Sequence, residues 1–137
     1  MRITGGCLCG AIRYATDAAP LVTRICWCRV CQYIGGGSGT VNAVFPRDAV
    51  HITGTPREYV SMADSGNRMH RQFCGGCGTP LFNCAEERPQ LLVVRVGTFD
   101  DPEQVRPQVT IWTDSAPTWC RIDPGMPQVP RQPPPLG

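Results

Sequence analysis

Lysine is absent from the sequence: all 13 basic residues are arginine. That excludes a Schiff-base lysine, a Ser-Lys dyad and a P-loop nucleotide site, each of which needs the amine. Charge is scarce at 18% of residues, and a formal net charge of +2 is too small for a nucleic-acid or anionic-membrane surface. Long apolar runs are missing too. The strongest, residues 91–94, is far too short to span a bilayer. Residues 1–7 lack the apolar stretch of a signal peptide. The expected location is therefore the cytoplasm, a reducing compartment.

What is present is punctuation. Gly (15) and Pro (14) make about a fifth of the 137 residues, which rules out a helical bundle and favours short strands joined by turns. The length suits one domain. Strand-like segments occur at 11–15, 21–25, 38–45, 49–53, 57–63, 68–73, 80–84 and 91–96. Asp64-Ser65-Gly66-Asn67 is a strong hairpin signal between two of them. Helix is expected only for about two turns after Cys28 and for one turn near Pro102, which an Asp can cap. No repeat of fixed period occurs. Residues from about 130 onward, rich in Pro, read as an extended, mobile tail.

Nine cysteines dominate the chemistry. A disulfide framework is disfavoured in a reducing compartment, and an odd number leaves one thiol over. Seven fall into three clusters: Cys7-Leu8-Cys9, Cys26-Trp27-Cys28-Arg29-Val30-Cys31, and Cys74-Gly75-Gly76-Cys77 followed by Gly78. Residues two apart on an extended segment share a face, and Gly in a C-x-x-C turn lets backbone amides aim at the sulfurs. Tetrahedral zinc wants four thiolates, commonly as two separated pairs. Cys7, Cys9, Cys74 and Cys77 supply such a set. It would tie the N-terminal region to the middle of the chain and so reads as structural. Cys26, Cys28 and Cys31 then leave three ligands and an open position, the catalytic-zinc pattern. Spacing alone also permits the C-x-C-x-x-C cluster to pair with the C-x-x-C. Iron–sulfur spacings fit less well. Cys84 and Cys120 read as small buried hydrophobes.

The first cluster extends to Gly5-Gly6-Cys7-Leu8-Cys9-Gly10-Ala11-Ile12-Arg13-Tyr14. The third extends to Phe73-Cys74-Gly75-Gly76-Cys77-Gly78-Thr79-Pro80-Leu81-Phe82. With the C-x-C-x-x-C between them, the chain resembles the glutathione-dependent formaldehyde-activating enzyme family (the centromere protein V/GFA domain). Gly97-Thr98-Phe99-Asp100-Asp101-Pro102 and Ile111-Trp112-Thr113-Asp114-Ser115-Ala116-Pro117 are similar to its later segments. The resemblance covers residues 3–122, leaving 123–137 as a Pro-rich, partly disordered tail. It implies a mainly β, Mss4-like fold of small antiparallel sheets with zinc knuckles and little helix. It also implies two zinc ions per chain, a structural one on Cys7, Cys9, Cys74 and Cys77 and a catalytic one on Cys26, Cys28 and Cys31. The implied activity is the carbon–sulfur lyase reaction that joins glutathione and formaldehyde as S-hydroxymethylglutathione. Family members commonly carry His between the first two cysteines of the second cluster. Here that position is Trp27, which can neither shuttle a proton nor ligate metal.

The expected function is thus a zinc-dependent enzyme acting on a thiol adduct, with glutathione or a related small thiol as partner, and no nucleic acid or membrane. The Gly35-Gly36-Gly37-Ser38-Gly39 run could present amides to a substrate carboxylate. No general acid or base stands out from the sequence; Asp64, His51 and His70 are the candidates considered. The competing reading is a non-catalytic, zinc-stabilised protein-binding module. Seven thiolates and two Zn²⁺ would shift the formal net charge from +2 to −1, the wrong sign for nucleic acid, and the arginines are scattered without a run.

Overall fold

The computed structural model describes residues 1–136. The chain is mainly β. Strands β1 (Ile3–Gly6), β2 (Arg13–Thr16) and β3 (Val22–Cys26) lead into the short helix α1 (Arg29–Ile34). Then come β4 (Thr40–Pro46), β5 (Val50–Thr53), β6 (Arg57–Met62), β7 (Arg68–Phe73), β8 (Pro80–Ala85), β9 (Leu91–Arg95), β10 (Val109–Ile111) and β11 (Gln128–Val129). One sheet has the order β1-β2-β5. The other has eight strands in the order β11-β10-β3-β4-β9-β8-β7-β6. Pairing is antiparallel except at one end, where β10 runs parallel to both β3 and β11.

Local sequence explains most boundaries. Cys28 caps α1, which stops at Gly35 where the glycine run begins. The β6–β7 hairpin turns at Gly66, φ +88°, and closes with Ala63 N–H donating to Asn67 O at 2.8 Å. The helical turn near Pro102 forms, with Asp101 as its cap.

Strand alternation divides the eight-stranded sheet into two unlike faces. Ala43, Phe45, Phe82, Leu92 and Val94 point towards the three-stranded sheet and join Ile3, Ile12 and Tyr14 in the main core. Burying a large apolar side chain of this kind contributes about 1.5–3 kcal/mol. The Tyr14 ring meets Phe82 and Phe99 edge-on at centroid separations of 5.4 and 6.3 Å. The opposite face carries Arg24, Asn42, Val93, Arg95, Asn83 and Arg71. It floors the cavity described below.

The Pro-rich segment that composition reads as tail contains β11. It continues beside residues 112–114: Thr110 N–H donates to Pro127 O at 2.9 Å and Asp114 N–H to Pro130 O at 3.1 Å. Proline lacks the donor for a strand interior, but its carbonyl still accepts. A Pro-rich chain can therefore dock as a one-sided edge strand. Among the described residues no helix is long and apolar enough to cross a membrane.

Candidate functional site

Cys7 and Cys9 lie in the loop after β1, and Cys74 and Cys77 in the turn between β7 and β8. Their four sulfurs lie within 4.8 Å of one another, with Cys7–Cys9 at 3.6 Å and Cys9–Cys74 at 3.7 Å. Four thiolates around an ion at about 2.3 Å sit roughly 3.8 Å apart, so the donor set has the dimensions of a zinc site. Gly10 (φ +80°) and Gly78 (φ +77°) take the left-handed positions just after the two cysteine pairs. Backbone amides then meet the sulfurs: Ile12 N–H donates to Cys7 Sγ and Gly76 N–H to Cys74 Sγ, each at 3.3 Å. Leu8 N–H donates to Thr79 Oγ1 at 3.1 Å, joining the two loops. The Thr79 hydroxyl and amide bring the Cys77 thiol down to about 5.

Cys26 ends β3, Cys28 caps α1 and Cys31 lies in its first turn. Their sulfurs also lie within 4.8 Å of one another, and no fourth Cys, His, Asp or Glu joins them among the described residues. All three are buried. Cys31 N–H donates to Cys28 Sγ at 3.3 Å. Hydrogen bonds from Cys26 and Cys28 outweigh burial and hold the Cys31 thiol far below its usual range, with the Thr40 hydroxyl and the Arg95 guanidinium adding to the effect. Cys26 is driven the other way by its contacts with Cys28 and Cys31, and by burial. Gln32 fixes the loop by donating to Trp27 O at 2.9 Å and Ser115 O at 3.0 Å. All nine cysteines are free of disulfides.

The two clusters differ in what they face. Cys26, Cys28 and Cys31 line a cavity of about 170 Å³ to which none of Cys7, Cys9, Cys74 and Cys77 contributes. The hairpin turn at Asp64 and Ser65 forms part of its lining, as do Pro134, Pro135 and Leu136. Trp112, in a left-handed conformation at φ 61°, lines the same cavity and donates from Nε1 to Gln132 Oε1 at 3.0 Å.

Other sequence candidates lie elsewhere. Gly36, Gly37 and Ser38 line a separate shallow groove with Trp27, Trp119 and Cys120, so that glycine run does not face the cysteine cavity. Trp27 packs on Gly39, where an added Cβ would lie 3.0 Å from the indole. Asp64 reaches the rim, but its Oδ2 accepts from Arg29 N–H at 2.9 Å. His51 is exposed on β5. His70 sits between Glu58 (2.8 Å) and Glu86 (3.2 Å) on β7, on the face opposite Arg71. Cys84 is buried on β8, its thiol directed at the carbonyls of Ala85 and Arg88.

Sequence reasoning missed the arginines of the cavity floor and the chain segment that covers it. The only signal for the former is the odd–even position of Arg24, Arg71 and Arg95 within their strands. Deleting residues 131–137 removes the Gln132 acceptor, the Arg131–Asp114 ion pair (3.5 Å) and the apolar cover. We expect a loss of about 1–2 kcal/mol, seen as a fall of several degrees in Tm. The Trp112 fluorescence should also move to longer wavelength. An unchanged spectrum would show that the segment does not cover the indole.

Residues 2–115 match the sequence model of the family described as glutathione-dependent formaldehyde-activating enzyme. The structure is similar to the crystal structure of a Rhodobacter sphaeroides protein, with a TM-score of 0.58 and 18% identity over 92% of this chain and 98% of that one. This second likeness concerns the fold alone. The family match runs through all three cysteine clusters, and on that basis the chain belongs to the glutathione-dependent formaldehyde-activating enzyme family.

Proposed function

We propose that the protein is a zinc-dependent enzyme of the carbon–sulfur lyase type that makes or breaks a thiol–aldehyde adduct, S-hydroxymethylglutathione being the model product. Two zinc ions per chain would be held, one by Cys7, Cys9, Cys74 and Cys77 and the other by Cys26, Cys28 and Cys31. One observation carries the reading: three clustered thiols, with no fourth ligand among the described residues, line a cavity, while four other thiols form a complete set. When bound at three thiolates, zinc supplies a coordination position and a field that lowers the pKa of an incoming thiol.

The chain's own residues supply the rest. Cys28 orients the cluster by capping α1, and Gln32 pins the loop that carries Trp27. The cavity walls limit water around the reacting sulfur. In the forward direction the substrate sulfur forms a bond to the aldehyde carbon. The carbonyl π pair moves to oxygen, which takes up the proton the thiol released, so no oxidant or reductant is consumed. Trp27 faces the other groove, so the missing family histidine leaves no gap in this cavity.

Glutathione and formaldehyde condense unaided, so the test is the rate above that background. Wild type should accelerate the reaction, and Cys28→Ser should lose at least about 100-fold of that acceleration, equivalent to roughly 2.7 kcal/mol of barrier. No acceleration, with zinc fully loaded, would remove the enzyme reading and favour a zinc-stabilised binding module.

A further inference from the structure

Among the described residues, three buried side-chain polar atoms lack a hydrogen-bond partner: Arg71 Nη2, Arg95 Nε and Asn83 Oδ1. All three belong to side chains that line the cysteine cavity. Sheet register explains the convergence. Arg24, Asn42 and Arg95 lie opposite one another across β3, β4 and β9. Arg71, Asn83 and Val93 lie opposite one another across β7, β8 and β9.

Each guanidinium is already positioned by part of its donor set. Arg95 is 7% exposed and donates from Nη1 to the side chains of Asn42 and Thr40. Arg71 Nε donates to Ser61 Oγ at 2.9 Å. Beyond these, and the contact of Arg95 with Cys31, Arg71 Nη2 and Arg95 Nε are left without a partner. Among the described residues, four arginines (Arg24, Arg71, Arg88 and Arg95) line the cavity against one acid, Asp64, whose Oδ2 already accepts from Arg29. Buried guanidinium charge without a counter-charge is costly. Three thiolates around a divalent ion carry a formal −1, which leaves the cavity cationic. A water needs roughly 10–15 Å³, so about 170 Å³ has room for a charged group beside the reacting sulfur.

We infer that Arg71 and Arg95 form a carboxylate-recognition pair, and hence that the thiol handled at Cys26, Cys28 and Cys31 is an anion. The inference rests on the thiol-adduct reading above and adds the residues that hold a carboxylate of that thiol. A carboxylate accepts both orphaned donors in the charge-assisted geometry that guanidinium favours. Neutral thiols such as 2-mercaptoethanol, and cationic ones such as cysteamine, leave those donors unpaired and are rejected.

The test separates recognition from chemistry by using S-methylglutathione, which has carboxylates but no free thiol. Its affinity is measured by calorimetry on the zinc-loaded protein, beside that of its dimethyl ester. Wild type should prefer the acid by about tenfold or more, the value of one charge-assisted hydrogen bond. Arg71→Gln should reduce that preference at unchanged zinc content and melting temperature. Arg71→Gln with Arg95→Gln should abolish it. Arg95 is buried, so Arg71→Gln alone decides the matter if the double variant fails to fold. Equal affinity for acid and ester in wild type would overturn the inference, as would a preference that survives Arg71→Gln undiminished. A carboxylate preference without acceleration of the thiol–aldehyde reaction supports the recognition pair and removes the proposed reaction. Acceleration without preference does the reverse.

Discussion

Cys9→Ser should leave no cooperatively melting domain, whereas Cys28→Ser should melt close to wild type with one zinc ion missing. The asymmetry follows from where each cluster sits. The four-sulfur set joins the loop after β1 to the β7–β8 turn, and so links the three-stranded sheet to the eight-stranded one. Structural zinc contributes about 10–16 kcal/mol of apparent binding energy, as large as the roughly 5–15 kcal/mol by which a domain is stable. Cys9 is the cleaner of its variants because its side chain is exposed and serine there disturbs little packing. Cys74→Ser should do the same damage and add a buried hydroxyl. Cys28→Ser differs because serine can still cap α1. The measurements are zinc content by native mass spectrometry, near-ultraviolet circular dichroism and a thermal melt. A chelator strong enough to strip both ions should reproduce the Cys9→Ser result in wild type. Equal loss of structure in Cys9→Ser and Cys28→Ser would refute the division of labour, and iron with visible absorbance would refute zinc.

The second large effect needs no metal at all. Gly5 pairs with Tyr14 across β1 and β2, and a Cβ there would lie 2.3 Å from Thr98 O and 2.4–2.5 Å from the Tyr14 phenol. Neither neighbour can yield cheaply. The first is backbone, and Tyr14 is 3% exposed, wedged on Phe82 and held by Thr98 Oγ1 at 2.7 Å. Gly5→Ala should therefore destabilise the zinc-loaded protein by about 3 kcal/mol, the upper end of ordinary overpacking, and lower Tm by roughly 10 °C. A shift below 2 °C would mean that the Tyr14 ring swings aside without cost.

The strands with strong apolar or β-branched runs were legible in the sequence, as was the Asp64–Asn67 turn. Each carries its own period or punctuation. The cysteine clusters were legible for the same reason, because sulfurs two and three residues apart can turn to one ion, but spacing left open which clusters combine, and only the fold brings Cys7 and Cys9 to Cys74 and Cys77. Strands β1, β10 and β11 were not. They are four, three and two residues long; β1 carries two glycines in place of an apolar alternation, and β10 and β11 are too short for a period. The Pro-rich segment misled because composition registers the missing amide donors and not the carbonyl acceptors that dock it. Arg24, Arg71 and Arg95 read as scattered because only the sheet order β3-β4-β9-β8-β7 makes them neighbours.

The separation between the two cysteine sets also dictates a sequence of events during synthesis. Cys26, Cys28 and Cys31 leave the ribosome together and can take an ion while the rest of the chain is still unmade. The other set begins with Cys7 and Cys9 yet stays half-complete until Cys77 emerges, a few seconds later at about 5–20 residues per second. In that interval two early thiols wait without their partners. If both sets hold ions, the one that begins first is thus the last that can close.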